Sequence, residues 1–228
     1  MQPSLRSRLI RRGLFGQTLM AALLLGSAGT LKFWQAWVFM AVNLAATIGI
    51  CVYFYKHDRR LLERRMLRQE QVGAQKVIML LVKLFSIAAY LLPGFDLRFG
   101  WSRACLGPVP WWLALLALAL VVAVHILFFW VMKANPFAAS IIQVESGQTI
   151  ADTGPYRHVR HPMYSGVVLL WLAAPLALGS FVALPVFVLA IPLIVFRLLN
   201  EEKILRRDLP GYAEYCRRIR WRLVPLIW

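Results

Sequence analysis

The chain alternates between long apolar runs and short polar stretches, and the apolar runs carry no period of two. LALLALALVVAVHILFFW, residues 113–130, is apolar on every side, with a single histidine interrupting it. A helix needs about 20 such residues to cross a bilayer, whereas a transmembrane strand shows about ten that alternate. The pattern therefore predicts six helical spans, at 14–31, 34–55, 77–95, 111–132, 163–178 and 181–199. The last two carry Pro175, Pro185 and Pro192 and are parted only by Gly179-Ser180, which predicts a tight helical hairpin. Beyond Pro210-Gly211, the three-to-four spacing of Tyr212, Tyr215, Ile219 and Leu223 among arginines predicts a C-terminal helix lying in the membrane interface. The expected fold is an all-α polytopic membrane bundle of about six transmembrane helices, with the C-terminal hairpin and the interfacial helix. Residues 1–132 are expected to form a four-span region and 133–228 the chemistry-bearing region, the two making one structural unit.

Composition supports a membrane setting: 60% of the 228 residues are hydrophobic, 16% are charged, and the mean hydropathy is +0.64. The net charge of +16 raises the question of nucleic acid, but its distribution answers it. With the N-terminus in the cytoplasm, cytoplasmic segments hold 4 Lys/Arg before Leu14, 7 from Lys56 to Lys76, 3 from Lys133 to Arg160 and 8 from Arg197 onward, 22 of the 26. That is the positive-inside bias of a multi-pass protein, with both termini cytoplasmic, and anionic lipid accounts for the basic surface without nucleic acid. The basic start followed by an apolar stretch also has the look of a signal peptide. Retention as a first span is expected, because an even number of crossings returns the basic C-terminus to the side of the basic N-terminus. Cys51, Cys105 and Cys216 are widely spaced and odd in number, so no disulfide framework or structural zinc site is indicated.

Asn43, Lys83 and His125 are the polar residues inside spans, the default candidates for an intramembrane function. Four histidines are too few for a multi-histidine di-iron site, and there is no H-E-x-x-H, no G-x-G-x-x-G and no P-loop. His158 and His161 lack a third ligand nearby, so no metal is expected.

The stretch GPYRHVRHPMYSG, residues 154–166, breaks the apolar pattern. Gly154-Pro155 predicts a turn. Pro162 is placed as the first residue of the fifth helix, where its missing N–H costs nothing. The opening amides of that helix would point outward as a place for a carboxylate, flanked by His161 and Tyr164. A plain juxtamembrane basic cluster accounts equally well for Arg157, His158, Arg160 and His161 taken alone. At the end of the sixth span, FRLLNEEKIL sets Arg197 one turn before Glu201. As a surface ion pair in that order it would contribute at most about 0.3–0.5 kcal/mol. Two adjacent carboxylates, Glu201 and Glu202, among only ten acidic residues point to a positive group nearby, either local arginines or a cationic cofactor.

The combination G-P-Y, R-H-P-x-Y-x-G, an apolar hairpin, an arginine four residues before E-E-x-x-L, and a closing Y-x-x-Y resembles the isoprenylcysteine carboxyl methyltransferases and the related phospholipid methyltransferases. These are membrane enzymes that use S-adenosylmethionine. The resemblance covers residues 133–225; the N-terminal spans match only as generic hydrophobic helices. It implies that Gln143, the segment Gln148, Thr149, Ile150 and Ala151, then Tyr156, and His161, Pro162, Met163 and Tyr164 line a cofactor pocket. Glu201, with Glu202 beside it, would close that pocket, and Arg197 would face the methyl acceptor. Arg197, Glu201 and His161 are thus the expected catalytic residues. The linker between Gln143 and Tyr156 is slightly shorter than in the eukaryotic prenylcysteine enzymes.

Methyl transfer from a sulfonium needs no metal and rests on alignment and electrostatics in a dry pocket. Tyrosine rings and a carboxylate suit the sulfonium, while helix amides and His161 suit the cofactor's own carboxylate. A carboxylate acceptor is already ionised and needs no base. An amine or thiol would have to lose a proton, and the sequence offers His158, His161, Tyr156 and Glu202 without choosing among them. The expected function is methyl transfer to a membrane lipid or other lipophilic acceptor at the cytoplasmic face, most simply a carboxylate, with a phospholipid amine or a thiol as alternatives. The rival class is a small transporter or assembly factor, for which Lys83 and His125 would be the working residues.

Overall fold

The computed structural model describes residues 4–66, 73–139 and 144–228. The described residues form nine α-helices: α1 Leu5–Ala28, α2 Trp34–His57, α3 Arg59–Met66, α4 Gly73–Phe99, α5 Trp101–Cys105, α6 Trp111–Ala134, α7 Pro162–Ala177, α8 Leu184–Asp208 and α9 Tyr212–Arg218. A single 3-10 turn covers Gly154–Arg157, and no strand occurs among the described residues. Four segments, Trp34–His57, Gln75–Phe99, Trp111–Ala134 and Leu184–Asp208, are long and apolar enough to cross a membrane, and α7 is a shorter apolar helix. The protein is an integral, multi-pass helical membrane protein.

Local chemistry sets the ends. The Ser4 side chain accepts the Ser7 amide at 3.3 Å to start α1 nine residues before the expected span, and Gly29, at φ 64°, stops it. Pro136 lies two residues beyond α6, and Pro162 is the first residue of α7. Pro93, Pro175 and Pro192 sit inside α4, α7 and α8, which continue through them, as membrane helices tolerate. The hairpin turn is wider than Gly179-Ser180 alone suggested, since α8 begins only at Leu184. The tail differs more. α9 ends at Arg218 and the chain leaves the helix at Ile219 (φ −107°, ψ 98°), so Ile219 and Leu223 do not continue the helical face of Tyr212 and Tyr215.

The chain divides into two compact units, each drawing on segments from both sides of residue 133. The first comprises Met1–Tyr53, Val82–Ala123 and Leu169–Ala190. Its core is built from Leu24, Phe33, Phe39, Val121, Leu178 and Phe187, with alanines between them. Gly94 of α4 packs against Ser27 and the Leu24 backbone of α1, leaving no room for a Cβ, the small-residue contact that lets membrane helices approach closely. Asp96 is buried here. It accepts from the Ser102 amide at 2.6 Å, from the Ser102 hydroxyl, and from the Ser180 hydroxyl at 2.5 Å. The Ser102 oxygen in turn accepts from the Phe181 amide at 3.0 Å, so this network holds the turn between α7 and α8. Asn43 donates to the Phe39 carbonyl of its own helix at 2.8 Å, and Lys83 is exposed.

The second unit comprises Phe54–Leu81, Val124–Val168 and Ile191–Trp228. His125 sits there edge-on to Phe128, with ring centroids 6.0 Å apart. Gly166, the last residue of the R-H-P-x-Y-x-G string, explains itself: a Cβ there would lie 2.5 Å from the Phe128 ring of α6. The string is thus partly a packing requirement of α7 on α6.

Candidate functional site

The polar residues singled out in the C-terminal half converge inside the second unit. The 3-10 turn carries Tyr156, the loop after it buries Val159 and Arg160, and α7 opens with Pro162, Met163 and Tyr164. α8 supplies Arg197, Glu201 and Glu202 from successive turns.

The first pairing is between α7 and α8. Tyr164 donates its hydroxyl to Glu201 Oε2 at 2.5 Å, and the same hydroxyl lies within hydrogen-bonding reach of the Arg197 guanidinium. Arg197 is 6% exposed, and its Nη1 donates to Gln75 Oε1 of α4 at 3.1 Å. His161 stacks its ring obliquely near Tyr164, centroids 5.8 Å apart. Tyr156 Oη accepts from Asn135 Nδ2 at 3.2 Å. Burial pushes the Tyr156 phenol up to about 12, against the lowering effect of the Asn135 bond and together with the raising effect of the Glu201 carboxylate.

The second pairing is between the loop and the tail. Glu202 is 3% exposed and gathers cations from three directions: Arg160 Nε at 2.7 Å, Arg222 Nε at 3.2 Å and Arg206 Nη2 at 3.5 Å. His161 Nε2 lies 3.3 Å from Glu202 Oε1 and 3.5 Å from Tyr212 Oη. Arg160 also donates to the Ile219 and Arg220 carbonyls at 2.9 and 3.0 Å. The amides of Arg160 and His161 donate to the Trp221 and Arg222 carbonyls, and Ser165 Oγ donates to the Leu223 carbonyl. The tail is a strap laid across the entrance to α7. Its extended course supplies the carbonyls a helix would have kept for itself, which is why α9 stops at Arg218.

This corrects the expectation of a row of open amides at the start of α7. Pro162 has none, Tyr164 and Ser165 donate back to the His161 carbonyl, and the two preceding amides belong to the strap. The Met163 amide is what remains of that row among the described residues. Tyr215 Oη ties the strap's helix to the Tyr156 carbonyl at 2.9 Å, and burial pushes the phenols of both Tyr212 and Tyr215 well above the ordinary value.

Gln143 lies outside the described residues. Gln148 closes its own turn, its Oε1 accepting from the Glu145 amide at 3.1 Å, while Ile150 packs on Leu209, Tyr212 and Tyr215. Thr149 is exposed and Ala151 half-buried. His158 and Arg157 are exposed. Two contributors from the N-terminal half carried no signal in the sequence. Gln75 meets Arg197, and Arg64 of α3 holds the linker, forking onto both Glu145 oxygens at 2.9–3.0 Å and donating to the Pro136 carbonyl at 2.8 Å. In sequence Arg64 is one basic residue of a basic loop, and Gln75 is one amide at a helix start.

Chemically, the arrangement offers a carboxylate and two phenols beside a buried guanidinium. Such a set can embrace a small cation on one side and an anion on the other. Residues 115–207 match the family model of the isoprenylcysteine carboxyl methyltransferase (ICMT) family. The uncharacterized protein YpbQ of Bacillus subtilis (strain 168) is 30% identical over 101 residues, which is 43% of this chain and 59% of that relative. The chain thus spans somewhat less than two thirds of the curated relative it matches. The matched stretch, residues 115–207, contains Tyr156, His161, Tyr164, Arg197, Glu201 and Glu202, and it is over this stretch that the chain is similar to the isoprenylcysteine carboxyl methyltransferase family.

Proposed function

We propose that this protein is an integral membrane methyltransferase that moves a methyl group from S-adenosylmethionine to a lipophilic carboxylate, at the cytoplasmic face where its basic loops gather. The observation that carries the reading is the Tyr164–Glu201 hydrogen bond at 2.5 Å with Arg197 beside it.

The residues fit the cofactor. Glu201 is a half-buried carboxylate whose partner is a phenol, so its Oε2 is held in place by a neutral donor. Tyr156 and Tyr164 present ring faces of the kind that attract a sulfonium. The Met163 amide and His161 are donors for the cofactor's amino-acid carboxylate. When bound, S-adenosylmethionine supplies a methyl group already activated by the positive sulfur.

The chain's own residues then do four things. Glu201 and the tyrosines bind and orient the cation. Arg197, buried on α8, binds the anionic head of the acceptor. The strap of residues 219–223, tied to Arg160 and His161, excludes water from the loop side. Glu202 keeps Arg160 and His161 where the strap needs them, acting as a positioning residue. A carboxylate acceptor arrives ionised, so no proton has to move. An apolar exterior on α7 and α8 suits an acceptor that approaches through lipid.

The test is calorimetric titration of the detergent-purified protein with S-adenosylmethionine, followed by incubation with methyl-labelled cofactor and matched carboxylate, amine and thiol amphiphiles. Saturable binding with label on the carboxylate is the expected result. Absence of cofactor binding defeats the reading. Label on amine or thiol alone moves the acceptor to one of those classes.

A further inference from the structure

Gln75 is buried to 0% exposure near the start of α4, and its Nε2 has no hydrogen-bond partner among the described residues. Its orientation is not arbitrary. The amide could be turned either way were its neighbours neutral, but the neighbour is a guanidinium, which only donates. The atom facing Arg197 Nη1 at 3.1 Å has to be the oxygen, so the nitrogen with its two protons is directed away from Arg197. A buried donor left unpaired is a cost that native structures rarely carry without a reason. Two buried donor groups, one charged and one neutral, therefore stand side by side on α8 and α4 with one donor unspent.

We propose that Gln75 Nε2 is the second donor of the acceptor site. Arg197 takes one oxygen of the acceptor's carboxylate and Gln75 the other, so that the head group is held at two points. This rests on the proposed function and extends it to a residue well outside the stretch that matches the family. The chemistry selects for a head with two adjacent acceptor oxygens and against an amine, which would put donor against donor. It also orients the carboxylate, because a head held by Arg197 alone would pivot about one contact.

Gln75 could instead serve only to hold Arg197, and the experiment is built to separate the two roles. The full-length protein is titrated with a prenylated N-acetylcysteine in the presence of S-adenosylhomocysteine, so that binding is read without turnover. The variants are Gln75→Met, Arg197→Met and the double variant. A donor acting directly on the ligand predicts roughly tenfold weaker carboxylate binding in Gln75→Met, as expected for a lost hydrogen bond to a charged group. It also predicts a further loss of about threefold or more when Gln75→Met is added to Arg197→Met. S-adenosylmethionine affinity stays unchanged in all three.

If the double variant binds the probe no worse than Arg197→Met alone, Gln75 acts only through Arg197 and the inference is overturned. Should Gln75→Met fail to fold, Gln75→Glu serves. It preserves shape and the acceptor toward Arg197 while removing the donor, and wild-type carboxylate binding by that variant is equally fatal. A wild-type protein that takes the cofactor but not the carboxylate overturns this inference and leaves the cofactor assignment standing. A wild-type protein that takes no cofactor removes the proposed function first.

Discussion

The Tyr164 hydroxyl and the Glu201 carboxylate, 37 residues apart in sequence, meet at 2.5 Å. The bond joins the start of α7 to the last turns of α8 and sets a carboxylate against aromatic rings, the pairing that a sulfonium would require. Glu201→Gln removes the charge and keeps the shape. Its affinity for S-adenosylmethionine is expected to fall at least about tenfold, the size of one lost charge-assisted contact. Calorimetry reads this directly, and an unchanged affinity would contradict the pocket assignment. His161→Ala is expected to weaken the cofactor in the same direction.

Arg197 behaves differently. It is buried and pairs with Gln75, and the proposed function gives it the acceptor's head group, so Arg197→Ala is expected to spare cofactor affinity while lowering turnover on a carboxylate acceptor by about a hundredfold or more. Single-turnover kinetics with saturating cofactor separates the two quantities.

Glu202 answers to three arginines and a histidine. Removing it leaves Arg160, itself 6% exposed, as an uncompensated buried charge. Glu202→Ala is expected to cost about 3–5 kcal/mol of stability and to free the strap, which thermal unfolding and protease access to residues 219–228 would both report. Full retention of stability would mean the cluster is solvated and the strap independently held.

Tyr156 was one of four candidates for a base, and its environment argues against it. Burial favours the neutral phenol, so the folded protein keeps a proton that the unfolded chain releases near pH 10, about the free-phenol value, until about pH 12. Stability is therefore lost as pH rises through that window. Near neutrality Tyr156 stays protonated. The pH profile of kcat/KM for Tyr156→Phe should run parallel to the wild type between about pH 6 and 9, and a profile that loses a limb would restore Tyr156 as a base.

Asp96 lies in the other unit and has no part in the proposed chemistry. Asp96→Ala leaves the Ser102 and Ser180 hydroxyls without their acceptor, each at about 1–3 kcal/mol. A lowered Tm with undiminished affinity of the folded protein for S-adenosylmethionine is the expected result. Equal loss of both would tie this network to the site.

Much of the candidate site's clustering was legible because its markers are local. The R-H-P-x-Y-x-G string carries its turn, its helix start and the glycine that admits Phe128. The E-E pair stands out because acids are scarce in this chain. The division of labour between Glu201 and Glu202 was not legible, since adjacent residues on a helix point about 100° apart and only packing decides which neighbour each one meets. Gln148 closes its own turn, a short-range bond that any glutamine in that loop could make and that no spacing announces.

The sequence by itself determined that the chain is helical and membrane-embedded, that a helix begins at Pro162, and that polar chemistry gathers between residues 154 and 202. Those are properties of hydropathy, capping and proline, which act over a few residues. The tertiary structure alone decided that Gln75 and Arg64 reach the C-terminal chemistry, that Asp96 holds the hairpin turn, and that the tail abandons its helix to cap α7. Each of these satisfies a buried donor or acceptor with a partner distant in sequence. Such pairings have no period and no spacing, because they arise only when the chain is packed and water is no longer there to serve as the partner.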